Sequence, residues 1–191
     1  MFCQFAILGT AYAKAGLNMS NPTVGLLNNG TEDHKGDNLH QKVYKYLSEM
    51  QNINFIGNVE GRDIMIGNVD IVVADGFSGN IALKSIEGCG KLFLGVMKKE
   101  FSANLKSKIG YLFLRKAIKN MRAQLDFDKF GGALLLGLKK PVVKTHGSSK
   151  PVTIANSIAN AASIYRGNLV PKVQELLSVT DLEAIAGECD D

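Results

Sequence analysis

Short apolar runs alternate with amphipathic stretches along most of this chain. Five runs rich in β-branched residues or leucine occupy residues 24–27, 54–56, 71–74, 133–136 and 142–144. Most are continuously apolar, which is typical of strands buried on both faces of an α/β sheet. Helical patterns occur at 2–15, 38–50, 80–99, 102–126, 153–165 and 170–177. The pattern therefore predicts an α/β fold in which residues of about 85–127 form a protruding helical hairpin. The last two strands are close enough in sequence to pair as a β-hairpin.

Composition is that of an ordinary soluble globular protein, with 46% hydrophobic and 21% charged residues among 191. No run approaches the roughly 18 apolar residues that span a bilayer. The apolar beginning of the chain lacks a basic segment before it, so a packed helix is predicted there and not a secretory signal. The three cysteines have no CxxC spacing and the three histidines no HExxH spacing. We expect a cytoplasmic protein without a disulfide framework or a metal site.

Positive charge is concentrated in one segment. Between Lys98 and Arg122 there are eight basic residues and one acid, Glu100, so this segment carries +7 and the rest of the chain −3. Such a stretch suits a docking surface for an anionic partner, and it equally suits a solvated helix face.

The loops that follow three of the predicted strands carry the candidate chemistry. They are rich in glycine, serine and asparagine, and they span residues 28–36, 75–80 and 146–149. A strand, a Gly/Ser turn and a helix N-terminus together present free backbone N–H groups to an anion. Each loop alone is explained as well by helix capping. Because two of the three also bear Lys35 or His146, a phosphate-bearing ligand is the better interpretation of the set.

Several familiar motifs are excluded. The chain has no GxGxxG fingerprint and no P-loop. The sequence around Ser78 resembles the GxSxG of hydrolases, but Asn80 stands where the second glycine belongs. Ser78 is therefore predicted to be a cap or a phosphate ligand and not a nucleophile. His34 and His40 are predicted to face solvent.

Four sequence blocks resemble signatures of the PlsX family of phosphate acyltransferases: residues 24–32 followed by Lys35-Gly36, residues 54–63, residues 75–84, and His146-Gly147-Ser148-Ser149. The resemblance implies a three-layer αβα fold similar to isocitrate and isopropylmalate dehydrogenases and to phosphotransacetylase. It also implies conversion of acyl-acyl carrier protein and inorganic phosphate to acyl phosphate. Family members are considerably longer, and their amino-terminal half has no counterpart here. We therefore expect a fold truncated at its amino end, and the activity of this part alone stays open.

In the implied reaction phosphate is itself the nucleophile, so no catalytic Ser or Cys is required. The candidate catalytic residues are His146 and Lys35, although His146 equally fits a strand-end histidine bonded to backbone. The candidate residues for phosphate or substrate binding are Asn28, Gly30, Thr31, Asp75, Ser78, Gly79, Asn80, Lys84, Gly147, Ser148 and Ser149. We predict that His146, Lys35 and Asn80 converge on one phosphate. No cofactor, metal or nucleic acid is expected.

The resemblance also implies partners. They are acyl carrier protein, a membrane glycerol-3-phosphate acyltransferase, and a second copy of the chain in a homodimer. By its pattern alone, an apolar stripe on the hairpin is more typical of an intramolecular core, but the resemblance favours a dimer contact, which we predict; the stripe consists of Tyr111, Leu114, Ile118, Met121 and Leu125. A bend at Gly110 would place Ile109, Leu112 and Phe113 at the tip of the hairpin. There they would contact the anionic inner face of the cell membrane. The alternatives are a non-catalytic half that only binds carrier protein or membrane, and a phosphotransacetylase-like enzyme using acyl-coenzyme A.

Overall fold

The computed structural model of the chain describes residues 1–124, 131–147 and 149–178. The helices within these residues are α1 (Phe2–Gly16), α2 (Asn38–Glu49), α3 (Gly61–Ile66), α4 (Gly76–Ser102), α5 (Leu105–Gln124), α6 (Pro151–Arg166) and α7 (Leu169–Ser178). The strands are β1 (Thr23–Leu27), β2 (Asn54–Val59), β3 (Ile71–Val73), β4 (Ala133–Leu134) and β5 (Val143–Lys144). The predicted α/β class is therefore confirmed.

Three strands form a parallel sheet in the order β2-β1-β3. Helix α2 connects β1 to β2 and helix α3 connects β2 to β3, as the parallel direction requires. The register of β1 and β2 shifts between Val24 and Gly25, because Ile56 is an extra residue in β2. Gly57 next to this bulge has a φ of 100°, a conformation that favours glycine.

Helix α1 holds the sheet and the carboxyl-terminal helices together. Its first half buries Phe2, Cys3 and Ala6 in a cluster with the inner sheet residues and α2. Its second half buries Ala11 and Ala15 in a separate cluster with α6 and α7. The predicted packed helix at the beginning of the chain is therefore confirmed. Alanine both favours helix and lets a neighbouring helix approach closely.

The end of α6 packs directly on α1. A Cβ atom at Gly167 would lie 2.3 Å from the carbonyl oxygen of Ala15, so no larger residue fits there without a backbone shift. Ser157 of α6 accepts a hydrogen bond from the Gly132 N–H at 2.8 Å, which ties the β4–β5 pair to the helix. Strands β4 and β5 are antiparallel, which confirms the predicted β-hairpin.

Helices α4 and α5 contact each other as a hairpin with its turn at residues 103–104. Helix α5 runs without interruption from Leu105 to Gln124, so the predicted bend at Gly110 is wrong. Glycine in a helix interior lowers stability, but neighbouring contacts routinely override that preference. In the described part of the chain, no helix combines the length and apolar character needed to cross a bilayer.

Two other helices differ from the sequence prediction. Helix α4 begins at Gly76, four residues before the predicted start, because Asp75 caps it. Helix α3 was missed, although Glu60 and Asp63 form a capping box that marks its beginning.

Candidate phosphate site

The carboxyl ends of β1 and β3 lie at the same edge of the sheet, because these neighbouring strands are parallel. The loop 28–37 follows β1, and Asp75 follows β3 after a single intervening residue. The Asn28 N–H donates to the carbonyl oxygen of Val59 at 2.9 Å, so the first loop is also fixed to the end of β2. This edge is where open α/β sheets bind ligands.

A pair of asparagine side chains gives the β1 loop its shape. The Asn28 side-chain amide donates to the Lys35 carbonyl at 3.0 Å and to the Asn58 side-chain oxygen at 3.1 Å. The Asn58 amide, which is buried, donates to the Glu32 carbonyl at 2.6 Å. The Asn28 side-chain oxygen accepts from the N–H of Asn29 at 2.8 Å. The Asn28 side chain, predicted as a ligand, therefore positions the loop.

Two glycines in this loop accommodate close neighbours. A Cβ atom at Gly30 would lie 2.9 Å from Cγ of Lys35, so the lysine side chain lies back across the glycine. The Lys35 ammonium is 3.9 Å from the Glu32 carboxylate, a distance typical of a weak, half-exposed ion pair. Gly36 has a φ of 87° and faces both Asn28 and His40. Thr31 is exposed.

Asp75 occupies the N-terminus of α4. Its carboxylate accepts from the backbone N–H groups of Phe77 and Ser78, both at 2.8 Å. Hydrogen bonds from the side chain and the N–H of Ser78, with that of Phe77, hold the pKa of Asp75 below its usual value of 3.8. The Gly79 N–H donates to the Asp75 carbonyl at 3.0 Å, and Asn80 lies inside the helix. The backbone N–H groups of Gly79 and Asn80, which the sequence predicted to donate to an anion, therefore take part in the hydrogen bonding of the helix.

A cavity of about 360 Å³ lies between the two loops. Its walls are formed by Leu27, Asn28, Asn29, Gly36, Asp37, His40 and Ser78. The structure thus brings Asn28 and Ser78 together, whereas Lys35 and Asn80, which were predicted to converge on one phosphate with His146, are not among the lining residues. Its volume falls in the range of roughly 300–1,000 Å³ found for small-molecule sites.

His40 lines this cavity and does not simply face solvent, so its predicted placement is wrong. Its side chain is 18% exposed, and its Nδ1 lies 2.7 Å from the Asp37 carboxylate. The ring also meets Phe2 edge-on, with centroids 5.8 Å apart. Asp37 caps α2, and a hydrogen bond from the His40 N–H lowers its pKa. The sequence does contain a signal for this contact, because an Asp and a His three residues apart at the start of a helix are close enough to pair. His34 is exposed, as predicted.

The other predicted site residues lie elsewhere. His146 and Gly147 are exposed in the β5–α6 loop, where the Ser149 N–H donates to the His146 carbonyl at 3.0 Å. Helix α6 begins only at Pro151, so this loop does not cap it. Lys84 on α4 pairs with Glu87 at 3.0 Å. Ser148 lies outside the described residues.

The hairpin residues divide into two sets. Tyr111, Ile118 and Met121 are wholly or partly buried, and the Tyr111 ring contacts Phe101 of α4 with centroids 5.8 Å apart. Leu114 of the same predicted stripe is exposed, and Leu125 lies outside the described residues. The predicted membrane residues are exposed one to two turns after the hairpin turn. They are Ile109, Leu112 and Phe113, of which Phe113 is 86% exposed.

The chain is similar in sequence to proteins of one family. Residues 1–172 match the family model described as fatty acid synthesis protein. The phosphate acyltransferase of Lactiplantibacillus plantarum is 47% identical over 173 residues, which are 90% of this chain and 50% of that protein. Phosphate acyltransferases of Oenococcus oeni and Streptococcus uberis are also 47% identical, over 89% and 92% of this chain and 49% and 52% of their own lengths.

The chain therefore belongs to the fatty acid synthesis protein family. Its PlsX resemblance, inferred above from four sequence blocks, is confirmed. The chain spans about half the length of the curated relatives it matches.

Replacing Asp75 with alanine should lower stability at neutral pH and have little effect in acid. The folded pKa lies below 3.8, so the stabilisation is present above that value and is lost as the pH falls through the folded pKa. The measurement is the urea midpoint of unfolding at pH 7 and at a series of lower pH values, along which the midpoints of the variant and the wild-type chain should converge. Asp33→Ala, which removes an exposed carboxylate that caps no helix, is the control. Equal midpoints for Asp75→Ala and the wild-type chain at pH 7 would contradict the capping role.

Proposed function

We propose that this chain is the carboxyl-terminal half of a phosphate acyltransferase. The reaction moves a fatty-acyl group from an acyl carrier protein thioester to inorganic phosphate, in fatty acid and phospholipid synthesis. The relatives' shared name and their 43–47% identity over most of this chain support the reaction class.

The observation that carries the proposal is the cavity at the carboxyl ends of β1 and β3. Asn28 and Ser78 come from two different sequence blocks of the family resemblance, and they line the same cavity. The walls combine neutral polar residues (Asn28, Asn29 and Ser78) with one carboxylate, Asp37, which pairs with His40 at 2.7 Å, so a small hydrated anion such as phosphate would be held by the neutral donors. The first loop is rigidly held by Asn28 and Asn58, so donors in it are fixed before the ligand arrives.

The chemistry requires positioning and charge stabilisation. An oxygen of HPO₄²⁻ forms a bond to the thioester carbon, the carbon–sulfur bond breaks, and the phosphate proton ends on the departing thiol. No electrons are gained or lost, so the balance needs no redox cofactor. The tetrahedral oxyanion between these events needs preorganised donors at hydrogen-bonding distance. Gly30, Thr31 and Lys35 are the candidates on the β1 loop.

The loop of His146, Gly147, Ser148 and Ser149 is the second set of candidates. His146 is exposed and would act as an acid or electrostatic partner only after a further segment closes over it. We propose that the half of the relatives' length that this chain does not span supplies that closure. It would also complete a three-layer αβα fold of the isocitrate dehydrogenase and phosphotransacetylase type.

The direct test is to trap acyl phosphate with hydroxylamine. Acyl carrier protein thioester and inorganic phosphate are incubated with this chain, alone and mixed with the amino-terminal half of the L. plantarum relative. Hydroxamate that forms only when phosphate is present supports the proposal. Absence of phosphate-dependent hydroxamate in both mixtures would contradict it, and faster reaction with acyl-coenzyme A would favour the phosphotransacetylase-like alternative.

Replacing Lys35 with alanine should lower the rate of hydroxamate formation by about a hundredfold, the usual cost of losing one charge-stabilising donor. His34→Ala, one residue away and exposed, is the matched control and should leave the rate unchanged. A rate for Lys35→Ala equal to that of His34→Ala would exclude Lys35 from the reaction.

A second candidate function is a binding half without catalysis. The observation that favours it is the basic hairpin, since the residues from Lys98 to Arg122 carry +7. Acyl carrier protein and anionic membranes would both be attracted to such a surface. Under either function we propose a homodimer, in which exposed apolar residues of the hairpin such as Leu92, Phe93 and Leu114 meet a second copy.

We also propose peripheral attachment to the inner face of the cell membrane. Ile109, Leu112 and Phe113 are exposed on α5, and four basic residues stand within three positions of them: Lys106, Lys108, Arg115 and Lys116. Attachment would bring the chain close to a membrane glycerol-3-phosphate acyltransferase, the proposed consumer of its acyl phosphate. Each basic residue near an anionic surface contributes about 1 kcal/mol.

The double variant Leu112→Glu, Phe113→Glu should abolish flotation with vesicles that contain anionic lipid. Ile81→Glu, Leu83→Glu is the matched control, because it introduces the same charges at two exposed apolar positions of α4 that belong to neither the membrane contact nor the dimer contact. The control should float like the wild-type chain. Flotation that both variants retain equally, or that the wild-type chain lacks, would contradict attachment through α5.

A further inference from the structure

A groove of about 530 Å³ runs between α4 and α5, on the inner side of the hairpin. It is lined by Leu94, Met97, Lys98, Phe101, Ser102, Lys108, Tyr111, Leu112, Ile118 and Arg122. The α5 residues from Lys108 to Arg122 span about 21 Å along the helix. The groove is therefore long and mostly apolar.

The charges of the lining residues are all of one sign. Three of them are basic (Lys98, Lys108 and Arg122), and no acidic residue lines the groove within the described part of the chain. Lys108 and Arg122 lie at opposite ends, while Met97, Phe101 and Ile118 provide apolar walls. An apolar slot with cations at its ends is complementary to a molecule that has one long apolar tail and one anionic head.

We propose that this groove binds a single-chain anionic amphiphile, with its acyl tail between α4 and α5 and its head on a basic residue. The choice of ligand rests on the proposed function, because the long-chain acyl phosphate formed in that reaction has this structure. The groove would hold the product after it leaves the cavity and shield its tail from water.

The groove is separate from the candidate phosphate site. Helix α4 begins at the cavity with Gly76, and Leu94 lies 18 residues further along, which corresponds to about 27 Å. The groove is also separate from the outer surface proposed for dimerisation, since Leu92, Phe93 and Leu114 do not line it. Leu112 belongs both to the groove and to the proposed membrane contact, so the two surfaces adjoin.

The test uses monohexadecyl phosphate below its micelle-forming concentration, titrated into the 191-residue chain in a calorimeter. We expect saturable binding to one site, with butyl phosphate and inorganic phosphate binding at least tenfold more weakly because they lack the tail. The double variant Lys98→Glu, Lys108→Glu should weaken binding of monohexadecyl phosphate about tenfold or more. The matched control is Lys99→Glu, Lys119→Glu, which makes the same charge change at exposed positions of the hairpin outside the groove and should alter binding less than about twofold.

Circular dichroism verifies that both variants are folded. Equal weakening by the two variants would mean general electrostatic attraction and would overturn the proposal. The proposal would also be overturned if the groove variant bound monohexadecyl phosphate as well as the wild-type chain does but had lost vesicle binding. The same holds if it had lost a dimer that light scattering shows for the wild-type chain. Binding of the amphiphile is measured without turnover, so it can fail while acyl phosphate is still formed, or persist in a chain that forms none.

Discussion

The position of α1 between two buried clusters is the constraint on which the rest of the structure depends. Phe2, Cys3 and Ala6 close the core of the parallel sheet, and Ala11 and Ala15 receive α6 and α7. The first helix thus joins the sheet to segments near the other end of the described chain. Its small residues make this possible, because larger side chains at Ala11 or Ala15 would separate the helices and overpack the second cluster. The two loops that line the cavity at the sheet edge depend on the strands that α1 holds.

The cavity at that edge follows from three local causes. Parallel strands bring the ends of β1 and β3 together, the Asn28–Asn58 pair fixes the loop after β1, and Asp75 fixes the beginning of α4. The carboxylate of Asp75 already satisfies the first amides of α4, so an anion would meet the loop donors and not the helix end. A site formed in this way is rigid on one side and open on the other, which is consistent with a chain that spans half the length of its relatives.

Most elements could be predicted from hydrophobic periodicity, since the strands are apolar runs and the helices are amphipathic. The site is harder to predict, because its residues are positioned by contacts between segments that are distant in sequence. Hydrophobic periodicity gives no information on such contacts. Asn28 and Ser78 were identified from loop chemistry, but the role of Asn28 depends on Asn58, a buried residue inside a strand. The predicted start of α4 is four residues late, because periodicity does not reveal the hydrogen bonds by which Asp75 caps the helix. The predicted exposure of His40 is wrong because the side chain contacts Phe2 of another helix, and the sequence pattern of one helix does not reveal such a contact.

The central claim is that the cavity between the β1 and α4 loops binds phosphate. It is tested most directly by adding inorganic phosphate to the ¹⁵N-labelled chain and following the backbone amide resonances. The account predicts saturable shifts at Asn29, Gly30 and Gly36, and at Ser78 across the cavity. These shifts should be lost when Asn58→Leu releases the loop. Shifts confined to the basic segment from Lys98 to Arg122, with none around the cavity, would contradict it.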